Sequence, residues 1–505
     1  MSSLPKPKNA IVILLDSLNR HMIGDYGGEE FDTPNIDRFA HRAVRFNRHF
    51  IGSFPCMPAR HDLLCGALDF LWKPWGSIEL WERPITAHLR ETGVNTMLFT
   101  DHPHLFETGG ENYHTDFFAW EYLRGHENDP WKSRPDPSWI GAPALPAGSR
   151  EWHYDRSRTY FREELDFPGP KTMHATANWI DSNADFHDRF LLYVDEFDPH
   201  EPFDSPVPWM DRYDPSWDGP RIIWPPYGVR NVERGVMTER EGRHIRCNYG
   251  SKLSMIDHWF GKVLDAIDKS DLWNDTMVVL CTDHGHYLGE KDIWGKPQVP
   301  QYEPLGHTPL YIAYPGVESK HIDTLTTNVD INATLCDLFD IEPEHRTHGV
   351  SLVPLLTGES EHVREWAIGG VFGNWVMVYD GHRKYARAPV DNGFPLSMWS
   401  NRWSTMLYAG IHRLWPKPDK RATLDYMPGS DVPVIRQPFQ EGDLLPYWCA
   451  RPRVNEHHLY NIDLDPSEDE NRLGAGDEKD MIELLREGLN AVEAPDEQFD
   501  RLGIA

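Results

Sequence analysis

The sequence predicts an α/β fold: a large mixed, mainly parallel sheet flanked by helices, followed by a smaller C-terminal antiparallel α+β domain. Three observations predict it. Residues 10–15, 189–194 and 276–282 are mostly apolar runs of strand length, as expected of strands covered on both faces. Leu253, Ile256, Phe260, Val263, Leu264 and Ile267 recur at helical spacing through residues 251–267. After about residue 365 the runs shorten to strands of hairpin type, which places a large α/β domain over 1–365 and the smaller domain over 366–505. A length of 505 residues is enough for about three domains, though large α/β enzymes often fuse them.

Taken in order, residues 10–15 form the first strand and Asp16 follows it directly. Ligands of open α/β sheets collect at the carboxyl ends of strands, so a carboxylate there is placed for function, with capping of the next helix as the plainer role. Asp25-Tyr26-Gly27-Gly28 reads as a turn and Thr33-Pro34 as a capped helix start. Gly52, Ser53 and Pro55 mark a loop, and Pro58 falls in the first turn of the helix that follows, where a missing N–H costs little. Cys56 is therefore expected at a helix N-terminus, where free N–H groups and the helix dipole favour an anion, with Arg60 one turn on.

Residues 94–100 predict a strand ending in Asp101-His102-Pro103-His104, whose two histidines, two apart on extended chain, point the same way. Residues 105–170 are rich in Pro, Trp, Gly and charge and predict a long irregular insertion over the active-site face. The strand at 189–194 leads into Asp195 and then Pro199-His200-Glu201-Pro202; the strand at 276–282 ends in Asp283-His284. Lys296 lies in a loop soon after, and a lone loop lysine is ordinarily solvated. A helix over 332–339 closes the large domain. Trp375 to Tyr379, the Asp380-Gly381 turn and a return strand from Lys384 open the small one. A helix over 479–492 and a polar tail from Ala494, long enough to reach a neighbouring copy in a homo-oligomer, end the chain; residues 388–445 receive no assignment.

Composition narrows the function. A net charge of −29 excludes nucleic acid and acidic membranes as partners and obliges any anionic substrate to find a local positive pocket. The mean hydropathy of −0.58 and the lack of a long apolar run exclude a membrane span. The first nine residues are polar, and the apolar run at 10–15 is too short for a signal peptide, so a cytoplasmic enzyme is expected. Six cysteines, at 56, 65, 247, 281, 336 and 449, show no Cys-x-x-Cys spacing; five read as reduced core residues, with Cys56 the exception. The 20 tryptophans concentrate in loops such as 71–75 and 131–152, either as packing for long loops or as a wall that stacks a sugar or aryl group.

The run Cys56-Met57-Pro58-Ala59-Arg60 resembles the Cys-x-Pro-x-Arg element of the sulfatase family, in the alkaline-phosphatase-like superfamily, near its arylsulfatase and phosphonate monoester hydrolase branch. Cys65-Gly66, Thr33-Pro34-Asn35-Ile36-Asp37, His102 and His104, Pro199-His200-Glu201-Pro202, Asp283-His284, Gly295-Lys296 and the Leu459-Tyr460-Asn461 element extend the resemblance over nearly the whole chain. One departure stands out: most sulfatases carry two carboxylates after the first strand, whereas this chain has Asp16-Ser17.

The resemblance implies an alkaline-phosphatase-like fold and hydrolysis of an aryl or carbohydrate sulfate monoester. Cys56 is implied to become formylglycine, through a formylglycine-generating enzyme, and to act as its hydrate. Asp16, Cys56, Asp283 and His284 are implied to hold a divalent metal, Ca²⁺ first and Mn²⁺ or Mg²⁺ next. Arg60 is implied to steady that site, His102, His200 and Lys296 to bind the sulfate, Lys296 or His200 to protonate the leaving oxygen, and His104 to take a proton from the second hydroxyl. Hydrolysis of a phosphonate monoester or phosphodiester is the competing reading, and an inactive ligand-binding relative with unmodified Cys56 a third.

Overall fold

The computed structural model describes residues 4–138, 153–403, 417–446, 449 and 456–505. Its centre is an eight-stranded sheet. Across it lie, in order, Lys320–Thr327, Val44–Phe50, Leu310–Ala313, Thr276–Cys281, Asn9–Leu15, Phe190–Glu196, Asn95–Thr100 and Ala119–Tyr122. All pair in parallel except Leu310–Ala313, which runs against both neighbours. The sheet is thus the mixed, mainly parallel one that the buried runs predict.

The strand Asn9–Leu15 is buried at every position, and its side chains divide by alternation. Ile11, Ile13 and Leu15 join the core under the helices Glu239–Lys269 and Pro168–Asn183. Ala10, Val12 and Leu14 join the opposite core, against Met57, Leu63 and Leu64 of the helix Cys56–Cys65 and Leu335 of the helix Asn328–Phe339. Such two-sided burial explains why the run shows no polar alternation.

Register brings the chemistry-bearing strand ends to one edge. Leu15 pairs with Glu196, Leu14 with Cys281, and Thr100 with Asp195. Asp16, Asp101, Asp195 and Asp283 therefore all gather at the carboxyl edge of the sheet.

Several local expectations are revised. The central helix runs over Glu239–Lys269, far longer than residues 251–267, and starts at a capping box in which Thr238 and Glu241 bond reciprocally. Thr33 stands before the helix Pro34–Ala40, but its hydroxyl accepts the Gly24 N–H at 3.0 Å instead of capping that helix. The stretch 105–170 is only partly irregular: it supplies the edge strand Ala119–Tyr122 and the helix His153–Arg158, while residues 139–152 lie outside the described residues.

Beyond residue 365 the chain forms a four-stranded antiparallel sheet of Ala367–Gly370, Val376–Tyr379, Arg383–Arg387 and His458–Asn461, with the Asp380-Gly381 turn between its second and third strands. The unassigned stretch contributes a second small sheet, Leu396–Ser400, Pro433–Phe439 and Thr423–Tyr426; residues 404–416 lie outside the described residues. The polar tail does not reach outward. It folds as the helix Asp496–Arg501 on its own chain, burying Leu502 and Ile504, with the Arg501 guanidinium donating to Asn374 O at 2.8 Å. Among the described residues no helix is long and apolar enough to cross a membrane.

Gly285, one residue past His284, tests how tightly this edge is packed. Its N–H donates to Leu305 O at 2.9 Å, and a Cβ there would stand 2.0 Å from Pro304 O. Backbone faces backbone, so neither side can yield. Gly285→Ala is expected to lower stability by about 1–3 kcal/mol, read as a lower midpoint of thermal unfolding; an unchanged midpoint would contradict this packing.

Candidate active site

The helix Cys56–Cys65 begins at the residue of interest, and its entry loop is tied down twice. Ser53 donates its N–H and its hydroxyl to the two oxygens of Asp62, each at 2.6 Å. Gly52 makes this approach possible, since a Cβ there would lie 2.4 Å from Asp62 Oδ2. On the other side Phe54 N–H donates to Gly370 O at 2.9 Å, and Gly370 N–H to Gly52 O at 3.0 Å. The small antiparallel sheet thus braces the loop that presents Cys56.

One turn along, Arg60 is fully buried and aims into the carboxylates of the sheet edge. Its Nε and Nη2 bond Asp195 at 2.8 and 2.6 Å, Nη2 also bonds Asp16 Oδ2 at 2.9 Å, and Nη1 bonds Asp283 Oδ2 at 2.8 Å and Cys56 O at 3.2 Å. A guanidinium has five N–H groups, and these five acceptors use them all. Ser17, held at a φ of 62°, turns its N–H onto Asp283 Oδ1 at 3.1 Å and its hydroxyl onto Asp16 Oδ1 at 2.8 Å.

Asp16, Cys56, Asp283 and His284 place one donor atom each within 4.8 Å of one another, all buried. His284 Nδ1 donates to Gly285 O at 2.9 Å, which leaves a lone pair on Nε2, 3.2 Å from Cys56 Sγ. Burial, and then the charge of Asp283, push the Asp16 carboxyl up, against Arg60 and Lys296. Burial alone would raise Asp283 too, but His284, Arg60 and Lys296 outweigh it and hold that carboxyl low. Burial lowers His284 to about 3, so its imidazole is neutral at physiological pH. Two buried carboxylates and an imidazole lone pair facing one point make a donor set that fits a divalent cation.

Opposite this group, Lys296 is buried with its Nζ 2.6 Å from His200 Nε2, 3.4 Å from Ser17 Oγ and 3.8 Å from Cys56 Sγ. His200 Nδ1 lies 2.6 Å from Glu201 O, which makes Nδ1 the protonated nitrogen and Nε2 the acceptor from lysine. Burial and the lysine charge hold His200 far below its ordinary value. Burial would lower Lys296 as well, but its interactions with Cys56, Glu201, Asp16 and Asp283 raise it instead. The pair is therefore a lysine cation and a neutral imidazole.

His102 and His104 share a site but not a state. His102 stacks on Phe197 with ring centroids 4.4 Å apart, and among the described residues neither of its buried nitrogens has a hydrogen-bond partner, Asp195 Oδ2 standing 3.8 Å from Nδ1. Burial, followed by Arg60 and His104, keeps it neutral. Orphaned buried nitrogens of this kind call for a polar ligand. His104 is clamped instead, with Nδ1 2.5 Å from Glu107 Oε1 and Nε2 3.1 Å from Glu127 Oε2. An imidazolium held between two carboxylates has no lone pair to offer, so the expectation that His104 accepts a proton does not fit its surroundings.

Sequence reasoning missed three residues here. Asp195 lies near the carboxyl end of a buried strand, as Asp16 lies just past the end of its neighbour, and that position was the available signal. Glu201 accepts from His286 Nε2 at 3.1 Å and from the Tyr227 hydroxyl, behind His200. Lys252, from the long helix, donates to the carbonyls of His200 at 3.0 Å and Pro202 at 2.8 Å, and only the fold brings it there.

Comparison with known proteins places these residues in context. A family model described as Sulfatase matches residues 8–341. A choline-sulfatase of Rhizobium meliloti (strain 1021) is 27% identical over 417 residues, covering 76% of this chain and 78% of the relative. An arylsulfatase of Clostridium perfringens (strain 13 / Type A) is 22% identical over 418 residues, covering 72% of this chain and 81% of the relative. Among solved structures, the phosphonate monoester hydrolase of Agrobacterium radiobacter superposes with a TM-score of 0.65 at 17% identity, over 97% of this chain and 95% of that one. A protein solved in complex with its substrate D-glucosamine-2-N,6-O-disulfate gives a TM-score of 0.66 at 14% identity, over 97% and 99% of the two chains.

The clamp on His104 has a pH signature. Burial would lower this imidazole, but Glu107 and Glu127 outweigh it and push it up to about 10. A folded value above the unfolded value of about 6.5 stabilises the protein fully below about pH 6.5, and the gain fades as pH rises through about 10. The gap in unfolding midpoint between wild type and His104→Asn is expected to be constant in mild acid and to close between about pH 7 and 10; a gap that persists above pH 10 would contradict the clamp.

Proposed function

The chain belongs to the sulfatase family, and from that premise we propose that it hydrolyses a sulfate monoester with formylglycine made from Cys56 as the nucleophile. The observation that carries the reading is Cys56 itself. It starts a helix inside a group of buried acids, 3.2 Å from the free nitrogen of His284, with the Lys296–His200 pair on its other side. The relatives by name act on choline sulfate and on aryl sulfates, and these two compounds come first as substrates.

Asp16, Asp283, His284 and residue 56 would hold a divalent cation, Ca²⁺ first and Mn²⁺ next. Bound there, the cation supplies a Lewis acid for the nucleophile and for the charge on the ester. The formyl group at residue 56, as its hydrate, supplies a second hydroxyl through which the sulfated enzyme is released without hydrolysis of a stable ester.

The remaining steps fall to the chain's own side chains. Lys296, charged and buried, donates a proton to the leaving oxygen, which departs with it as the alcohol, and the neutral His200 beside it orients the lysine ammonium by accepting one of its N–H groups at Nε2. His102 offers its unpaired nitrogens to the sulfate oxygens and takes the base role first assigned to His104. Arg60 fixes the two carboxylates while remaining outside the reacting atoms. The six cysteines are buried and form no disulfide among the described residues, which accords with a reducing compartment, and we place the protein in the cytoplasm with a formylglycine-generating enzyme as its maturation partner.

Phosphonate monoester or phosphodiester hydrolysis is the second reading. Ser17 in place of a second acid and His102 in place of a lysine favour it, as the resemblance to that branch implies. Three measurements test the choice. Mass spectrometry of the peptide containing residue 56 is expected to show an aldehyde and loss of sulfur. Lys296→Ala is expected to reduce kcat on aryl sulfate by about 10²–10⁴-fold. Aryl sulfate is expected to turn over faster than aryl phosphonate. Turnover with an intact thiol at residue 56 would end the formylglycine reading, and the reverse substrate preference would select the second.

A further inference from the structure

Asp195 is the last residue but one of the strand Phe190–Glu196, immediately beside the strand Asn9–Leu15 that Asp16 follows. It lies outside the cluster of donor atoms formed by Asp16, Cys56, Asp283 and His284. Its two oxygens instead take the Nε and Nη2 edge of Arg60 at 2.8 and 2.6 Å, the bidentate fork in which a guanidinium and a carboxylate fit best. The other edge of Arg60 faces Asp16 and Asp283.

This arrangement decides the charge of the site. With Asp195 absent, the whole charge of Arg60 would fall on Asp16 and Asp283, and Lys296 would add a second positive charge nearby. Glu201 stands against Lys296, so Asp16 and Asp283 would then carry the charge of Arg60 alone, and the negative surplus left for a cation would fall from two charges to one. Ser17 brings no charge of its own, since its hydroxyl is spent on Asp16 Oδ1 at 2.8 Å. Asp195 supplies the third acid from a neighbouring strand. It matches Arg60 on the far edge and returns negative charge to the two carboxylates that face Cys56.

We propose that Asp195 is a positioning residue that anchors Arg60 by its far edge and thereby gives the Asp16–Asp283–His284 group its affinity for a divalent cation. The proposal rests on the reading of that group as a cation site. It also accounts for the full use of Arg60: with all five N–H groups occupied, the guanidinium holds both carboxylates at a fixed spacing and cannot swing into the space between them.

The test uses the full chain, stripped with a chelator and titrated with Mn²⁺ by calorimetry and by the loss of the free-ion electron paramagnetic resonance signal. Asp195→Asn removes the charge at nearly constant shape, while Asp195→Glu keeps the charge. The Asn variant is expected to bind Mn²⁺ about 10–100-fold more weakly, the range seen when an outer partner of a metal ligand is removed, and the Glu variant to stay near wild type. Asn that binds as tightly as wild type, or Glu that binds as weakly as Asn, overturns the proposal. If the Asn variant shows no cooperative melt, the Glu variant decides alone: retained affinity supports the role of charge and lost affinity overturns it. A wild-type chain that takes up neither Mn²⁺ nor Ca²⁺ removes the cation reading itself, an outcome distinct from failure at Asp195.

Discussion

The guanidinium of Arg60 is the constraint around which this edge of the molecule is built. Three strands deliver carboxylates to it, and the helix that carries it also carries Cys56. An unpaired charge buried this deeply would cost several kcal/mol, so the strands, the helix and the register between them must agree for the fold to hold. The same requirement fixes Cys56: its carbonyl is the fifth acceptor, and a shift of the helix by even one residue would strand both the charge and the thiol.

Around that centre, four histidines of one residue type reach different states because their neighbours differ. His284 spends Nδ1 on a backbone carbonyl and keeps Nε2 open toward the acids. His200 does likewise and faces a lysine. The His102 ring has aromatic contact and, among the described residues, no hydrogen bond, and His104 has two carboxylates. Proton donors, acceptors and a fixed charge thus come from one side chain, assigned by second partners in place of residue identity.

The smaller sheet also acts at the site, through backbone alone. Gly370 exchanges hydrogen bonds with the loop at Gly52 and Phe54, and any side chain at 370 would meet Trp375 O at 2.5 Å. Glycine lets the strand approach the loop closely enough to hold it. Lys252 makes a comparable link from the long helix to the loop of His200. Both connections join parts of the chain that are far apart in sequence, which is why no local pattern announces them.

What the sequence determined by itself follows from short-range physics. Buried strands are visible as unbroken apolar runs, and the acid that ends each run marks the functional edge, so Asp16 and Asp283 were legible, as was Cys56 at the start of its helix. Asp195 ended the third such run and was legible by the same rule, though its partner was not. Only the tertiary structure decided the rest. The five-way bonding of Arg60, the clamp on His104, the orphaned nitrogens of His102 and the folding back of the tail at Leu502 all depend on groups brought together across long stretches of chain. A side chain's charge and free lone pairs are set by its partners in space, and sequence spacing carries no record of those.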